Sequence, residues 1–406
     1  MRVAMIGGRG LPATYGGVER HIEEIGARLV ERGHEVTVYC RPHYTVRDSG
    51  SSYRGMRLVV LPGIASKHLD ALSHTAVAAA HAAKQGFDIV HYHAVGPGLI
   101  SPLSRATGRG AVVLTVHGLD FGREKWGLGA RLALQASARL SAYVPDRTIV
   151  VAEGLREHYR DSYGVETSYV PNGVTLPAND PDEGLRDLTE LGVKPDDYLL
   201  SVGRLVPEKG HHLLVDAFGA LPADARPQLV IVGGDSFTGG YVRELTEQAQ
   251  ALPDVHLPGF LYGDALQAAY ANARLFVQSS TLEGMPLTVL EAAAYSRPLV
   301  LSDIPVHRQL LGSDRPGGRL FTSGDSASLS AALERALRDP EAEAAGGRQV
   351  GAELLDRFSW EKTVDGTLDA YAQAMEARGA TRAPDRPRLG ARRRARRAGR
   401  PGAELH

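Results

Sequence analysis

Arg2-Val3-Ala4-Met5-Ile6-Gly7-Gly8 opens the chain as an apolar strand running into glycine, and Glu35-Val36-Thr37-Val38-Tyr39-Cys40 repeats the strand pattern. Between them Val18, Ile22, Ile25 and Leu29 recur at helical spacing, and Gly33 ends the run. Strand, glycine loop, helix and strand make a βαβ unit, whose two strands lie parallel. The alternation continues outward. Further strands are expected over 57–61, 88–92, 111–116 and 147–151, and a second set over 198–202, 228–232, 255–257, 275–278 and 299–302. The expected fold class is α/β, with two successive doubly wound parallel-sheet halves.

A chain of 406 residues is too long for one core, so two domains are the default. The first is placed at 1–175 and the second at 191–358, joined by a linker at 176–190 where Pro, Asp and Gly concentrate. A helix at 359–376 lies beyond the last strand and is positioned to cross back to the first half. The remainder, 377–406, is rich in Arg, Pro, Gly and Ala and is expected to be disordered. Its cluster Arg392, Arg393, Arg394, Arg396 and Arg397 would attract anionic lipid headgroups; a solvated tail without a fixed partner is the alternative.

Formal net charge is −1, and from Gly379 onward nine arginines face only Asp385 and Glu404, so the body is acidic. That argues against a nucleic-acid binder. One cysteine, Cys40, forbids an internal disulfide and fits a reducing compartment. With no signal-peptide pattern and no apolar run of bilayer length, a cytoplasmic location is expected, with peripheral contact at the inner membrane face through the basic tail as a further option.

The segment Thr281-Leu282-Glu283-Gly284-Met285-Pro286-Leu287-Thr288-Val289-Leu290-Glu291-Ala292 follows the strand ending near Gln278. Pro286 suits the first position of a helix, whose amides and dipole then present a positive end at the carboxyl edge of the sheet. Glu291 falls five residues into that helix, roughly 7.5 Å along the axis at 1.5 Å per residue. Glu283 and Glu291 can therefore accept hydroxyl hydrogen bonds on either side of a bound diphosphate. Ser201-Val202-Gly203-Arg204-Leu205-Val206-Pro207-Glu208-Lys209-Gly210 also follows a strand. Arg204 and Lys209 can neutralise a leaving diphosphate there, with Gly203 allowing close backbone approach.

Gly8-Arg9-Gly10-Leu11-Pro12-Ala13 satisfies the G-x-G-x-x-[GA] dinucleotide pattern, but poorly. Pro12 delays the helix, and the second strand ends in Tyr39-Cys40-Arg41 where an NAD site wants a carboxylate. Gly16 and Gly17 instead open the helix and bring amides toward phosphate from the opposite domain. His93 and His117 stand at strand ends, where parallel sheets place ligand contacts; His91 is read as structural. After His117 come Asp120, Arg123, Lys125 and Trp126, so a role for His117 near the sugar is favoured. No spacing reads as a metal cluster, and Asp180-Pro181-Asp182 falls in the linker.

Over 1–375 the chain resembles the family-four retaining glycosyltransferases of the GT-B fold, two Rossmann-like domains facing a cleft. Glu283 through Glu291 resembles their E-x7-E motif, supported by Gly203-Arg204, by Glu208-Lys209-Gly210 and by Pro171-Asn172-Gly173-Val174. The resemblance implies that Glu283 holds the transferred sugar and Glu291 the ribose. Arg204 and Lys209 would clamp the diphosphate, Gly17 approach the phosphates and His117 lie beside the donor sugar. Phe260-Leu261 would seat the base. The catalytic set is then His117, Glu283, Arg204 and Lys209. The donor set is Gly16, Gly17, Gly203, Met285, Pro286, Leu287, Glu291 and Leu261. Tyr15, His93, Asp120, Arg123 and Lys125 are the acceptor set.

Arg9 to Glu19 and His117 to Trp126 look like a bacterial subgroup that builds surface polysaccharides, including rhamnosyltransferases. Thr175 departs from the Asp of many relatives. The implied partners are a nucleotide-sugar donor and a glycan or lipid-linked saccharide acceptor, with no cofactor and no catalytic metal. Competing readings are a nucleotide-sugar epimerase of the same fold, an NAD(P)-dependent oxidoreductase and a non-catalytic sugar-binding scaffold.

Overall fold

The computed structural model describes residues 1–13, 16–44, 51–64, 69–118, 128–176, 184–224, 226–234 and 238–382. The first sheet holds β1 (Arg2–Ile6), β2 (Glu35–Cys40), β3 (Ser52–Tyr53), β4 (Met56–Val60), β5 (Ile89–His93), β6 (Ala111–Val116), β7 (Arg147–Val150) and β8 (Ser168–Tyr169). Their order is β3-β4-β2-β1-β5-β6-β7-β8, and only the β3–β4 pair is antiparallel. The second sheet holds β9 (Tyr198–Val202), β10 (Gln228–Val232), β11 (Val255–Gly259), β12 (Leu275–Gln278), β13 (Leu299–Ser302) and β14 (Gly318–Phe321). It is all parallel, in the order β11-β10-β9-β12-β13-β14. Central strands β5, β6, β12 and β13 are buried along their whole length, as helices on both faces require.

In each sheet the strand order reverses at one crevice, between β1 and β5 in the first and between β9 and β12 in the second. Open parallel sheets bind ligands at such switch points, outside the carboxyl ends of the strands. The loops after β1, β9 and β12 are the three that the sequence singles out, so topology delivers them to the right edges.

Every long strand expected from apolar runs is present, with shifts of a residue or two at the ends. Two expectations need correction. The stretch read as linker contains the helix Leu185–Glu190, whose Leu188 is 1% exposed within the apolar core. Two leucines at i, i+3 bury one side, which outweighs the Pro- and Gly-rich residues before them. The last helix runs Trp360–Arg382, past residue 376 and into the stretch expected to be disordered. Arg378 Nη2 donates to the carbonyls of Arg105 (2.7 Å) and Gly108 (3.1 Å), which ties this end down. Residues 383–406, with the basic cluster, lie outside the described residues.

The returning helix packs on the first sheet, burying Trp360, Val364, Tyr371 and Ala374 with β-sheet residues such as Val113 and Ile149. Each large apolar side chain so buried stabilises by about 1.5–3 kcal/mol. Arg28 of the helix Gly17–Glu31 and Arg32, which caps its C-terminal end, pair with Glu361 at 3.0 and 2.6 Å. At the turn before the returning helix, Val174 N donates to Phe358 O at 3.1 Å, and a Cβ on Gly173 would overlap the Trp360 backbone. The two chain crossings between the halves therefore lie against each other. Among the described residues no helix is long and apolar enough to cross a membrane.

Tyr371 Oη bonds the buried His91 Nδ1 at 2.8 Å. Tyr371→Phe should leave that nitrogen unpaired and cost about 1–3 kcal/mol, lowering the apparent Tm; an unaltered melting curve would show the contact to be idle.

Candidate active site

The loops after β9 and β12 are stitched together before any ligand is considered. Thr281 N donates to Glu208 O at 2.9 Å, and Ser279 Oγ donates to Gly210 O at 2.9 Å and Lys209 O at 3.1 Å. Gly210 sits at φ +66°, and a Cβ there would overlap the Ser279 carbonyl oxygen. Only glycine meets both demands. This close approach brings Lys209 Nζ to 2.5 Å from Glu283 Oε1.

The same oxygen of Glu283 also accepts from Gln278 Nε2 (2.5 Å) and Ser280 Oγ (2.6 Å). Gln278 is held in turn by Thr288 Oγ1 at 2.9 Å. All three donors converge on Oε1, so Oε2 is the atom left for a ligand hydroxyl. Burial alone would push this carboxyl up, but the Lys209 charge and these hydrogen bonds outweigh it and hold it down at about 2. Glu291 behaves oppositely. Burial raises its carboxyl, against a hydrogen bond from Tyr270 Oη at 2.9 Å and the charge of Arg20 from the first half.

Pro286 caps the helix Leu287–Ala294 rather than filling its first turn, one residue earlier in the helix frame than expected. Its extended backbone (ψ 104°) fits a position outside the helix. The first amides still lack intrahelical partners, so the positive end remains. Met285 is 6% exposed with its side chain in the core, so it offers backbone rather than side chain to a donor. Leu287 packs toward the first half, where its Cδ1 lies 3.4 Å from the Cβ position of Gly17. Gly16 adopts extended backbone that any residue reaches (φ 168°).

Across the cleft, the loop after β6 meets the loop after β12. A Cβ on Gly284 would overlap the carbonyl oxygen of His117. Asn172, 4% exposed, bridges the halves: its Nδ2 donates to Met285 O at 3.2 Å and its Oδ1 faces His21 Nδ1 at 2.8 Å. His117 Nε2 lies 3.4 Å from His93 Nδ1, and its ring meets His21 edge-on with centroids 4.7 Å apart. His93 is 0% exposed and lies against His91, centroids 4.1 Å apart. An acceptor cannot reach it there, so its assignment to the acceptor set is corrected: it braces His117. His91 is structural as read, bonded to Tyr371 and to Thr115 Oγ1 at 2.7 Å.

Gly203 is not crowded by the protein, since its Cβ position stands 3.5 Å from Lys209 Cδ. The crowded glycine is Gly233, at φ +156°, where a Cβ would overlap the Gly203 carbonyl oxygen. Beside it, Gly234 leaves room for the Phe260 ring, which stacks on Tyr262 with centroids 5.9 Å apart; Leu261 packs into the core between them. Arg204 lies on the same loop as Lys209 and is half-buried. Tyr15, Asp120, Arg123 and Lys125 fall outside the described residues. Sequence reasoning missed His21 as a site neighbour and Gln278, Ser280, Tyr270 and Arg20 as its supports.

The profile described as Glycosyltransferase Family 4 matches residues 15–176, and that described as Glycosyl transferases group 1 matches residues 189–349. A D-inositol 3-phosphate glycosyltransferase of Geodermatophilus obscurus is 30% identical over 395 residues, spanning 89% of this chain and 85% of that protein. The chain belongs to the family-four glycosyltransferases. A GDP-mannose-dependent alpha-(1-6)-phosphatidylinositol monomannoside mannosyltransferase of Mycolicibacterium smegmatis is 26% identical, covering 90% of this chain and 97% of its own. HepE of Anabaena, solved with UDP and glucose, has a TM-score of 0.77 at 19% identity over 92% of this chain and 99% of that one. Sucrose-phosphate synthase from Thermosynechococcus elongatus also reaches 0.77, at 21% identity over 93% and 99%. These likenesses show the GT-B fold, two parallel-sheet Rossmann-like domains, for this glycosyltransferase.

Two buried histidines flank the Lys209–Glu283 pair. Burial lowers His307 to about 4 and His211 to about 3, the latter helped by the Lys209 charge. Both are neutral in the fold at pH 7, while an unfolded chain takes up their protons near the ordinary value of 6.5. Their stabilising contribution is complete above 6.5 and is lost as pH falls through 4. The Tm should therefore decline across that window, and His307→Gln should flatten the decline; an equal slope in the variant would assign it elsewhere.

Proposed function

We propose that this glycosyltransferase moves a sugar from a nucleoside diphosphate sugar to a hydroxyl of a glycan or lipid-linked saccharide, with retention at the anomeric carbon. The observation that carries the reading is the Lys209–Glu283 pair at the switch point of the second sheet, set against His117 across Gly284. Named relatives supply the donor class. One is GDP-mannose-dependent and HepE was solved with UDP-glucose. The exposed face of Phe260 and Tyr262 suits a nucleobase, Glu291 the ribose and Glu283 Oε2 a sugar hydroxyl.

Glu283 has Oε1 occupied by three donors and a carboxyl held near 2, so it makes a weak base and a poor nucleophile. Same-face attack follows from this. The acceptor oxygen bonds to the anomeric carbon as the bond to the phosphate oxygen breaks, and that phosphate oxygen takes the acceptor proton. Arg204, Lys209 and the first amides of the helix Leu287–Ala294 stabilise the departing diphosphate, so the step uses no metal. The subgroup resemblance of the loops after β1 and β6 supports a role in surface polysaccharide synthesis at the cytoplasmic membrane face, with the Arg-rich tail on anionic lipid.

Arg204→Ala should lower kcat about 10²–10³-fold, measured where the variant remains folded. Lys209→Ala is the less clean test, since it also strips a buried carboxylate of its cation. Near-normal turnover in Arg204→Ala would sink the proposed clamp.

Gly284→Ala forces the loops apart against His117 and should reduce kcat/KM by about ten- to a hundredfold. Gly118→Ala, whose Cβ meets nothing nearer than Gly284 at 4.0 Å, should cost far less. Equal effects would mean that the cleft width is not set at this contact.

A further inference from the structure

Three imidazoles converge at the carboxyl edge of the first sheet: His21 from the helix Gly17–Glu31, His93 from the end of β5, and His117 just past β6. One ring nitrogen of each lies within 4.8 Å of the other two. His21 and His93 are 1% and 0% exposed, and His21 Nε2 has no hydrogen-bond partner among the described residues. Leaving a buried polar nitrogen unmatched is costly, and each such atom calls for a partner.

Asn172 fixes what His21 offers. Because Asn172 Nδ2 donates to Met285 O, its Oδ1 is the atom facing His21 Nδ1 at 2.8 Å. His21 Nδ1 therefore carries the proton, and Nε2 presents a lone pair. An imidazole whose far N–H is tied to a carbonyl oxygen is the arrangement found behind metal-ligating histidines. His93 Nδ1 and His117 Nε2 are 3.4 Å apart. That is about the edge of a tetrahedron whose metal–nitrogen bonds are near 2.1 Å.

We propose that His21, His93 and His117 form a binding site for one borderline divalent transition metal ion of the zinc class. Three neutral nitrogens without a carboxylate select such ions over Mg²⁺ or Ca²⁺. His117 is the least buried of the three, so the fourth coordination position opens toward the cleft for water. The site is distinct from the diphosphate clamp, and the ion takes no part in transfer. Its consequence rests on the function proposed above: an ion that ties down His117 removes it from the donor sugar and inhibits the enzyme.

The test separates binding from that consequence. The chain has two tryptophans, and the His21 and Trp360 ring centroids are 5.9 Å apart. In a Trp126→Phe background, Co²⁺ should quench Trp360 emission saturably at one ion per chain. The visible d–d absorption of four-coordinate cobalt should rise in parallel and be abolished by Zn²⁺. His93→Gln in this background should weaken Co²⁺ binding at least tenfold; His117→Gln, at a less buried position, serves if that variant fails to fold. No d–d absorption, or the same absorption and affinity in the variants, overturns the site. For the consequence, Zn²⁺ should suppress transfer over the range in which it displaces cobalt, and chelation should restore it. Full transfer with the site saturated overturns the inhibition and leaves the assignment of ligands to the spectroscopic arm, which stands or falls on its own.

Discussion

The width of the cleft is set by a side chain that is missing. Gly284 touches the His117 carbonyl so closely that no Cβ fits, and this is where the loop carrying Glu283 meets the first sheet. Asn172 fastens the same joint from the side, with one amide reaching Met285 O and His21 at once. Gly173 then lets the outgoing chain lie directly on the returning one at Trp360. Two backbone contacts and one side-chain amide therefore fix how the two sheets face each other. Apolar contacts fill in around them, and Gln309 Nε2 donating to Tyr169 Oη at 2.8 Å adds one more polar tie between the halves.

Within that frame the two acidic residues are driven apart electrostatically. Glu283 lies beside a cation with three donors on one oxygen, which makes it a permanent anion. Glu291 has one phenol and a distant arginine, and burial lifts it. A fixed anion suits a residue that orients hydroxyls, because its charge does not fluctuate as the substrate changes charge beside it. The pairing also redistributes the positive field. Lys209 is largely matched by Glu283, while the first amides after Pro286 keep the positive end of the helix open beside the pair.

What the sequence disclosed follows the length scale of each feature. Long apolar runs named all the central strands, because burial on both faces leaves a compositional mark. The two-residue strands β3 and β8 leave none, and β14 is a short run after a glycine-rich turn. The helix Leu185–Glu190 was hidden by the Pro and Asp before it, and the end of the last helix by its Gly and Arg content. The glutamate segment was legible because Gly284 and Pro286 punctuate it beside a strand end. Asn172 was legible only as part of Pro171-Asn172-Gly173-Val174 and His21 not at all, for their partnership joins positions 151 residues apart.

The histidines show how such distant pairings reach the chemistry. Each reads alone as a polar residue at a strand end or on a helix face, and of the two that alternate along β5 the sequence takes His91 as structural and His93 as a ligand contact. In the fold they form a continuous row. Tyr371 on the returning helix bonds His91, His91 lies against His93, and His93 abuts His117 at the cleft. Thr115 Oγ1 holds the second nitrogen of His91, so that ring has no freedom to turn. The orientation of His117 is thus transmitted from a helix at the far end of the chain. This gives a physical reason for the last helix to cross back onto the first sheet. It is the back wall of the histidine row, and without it His91 would lose a bond and the rings in front of it their support.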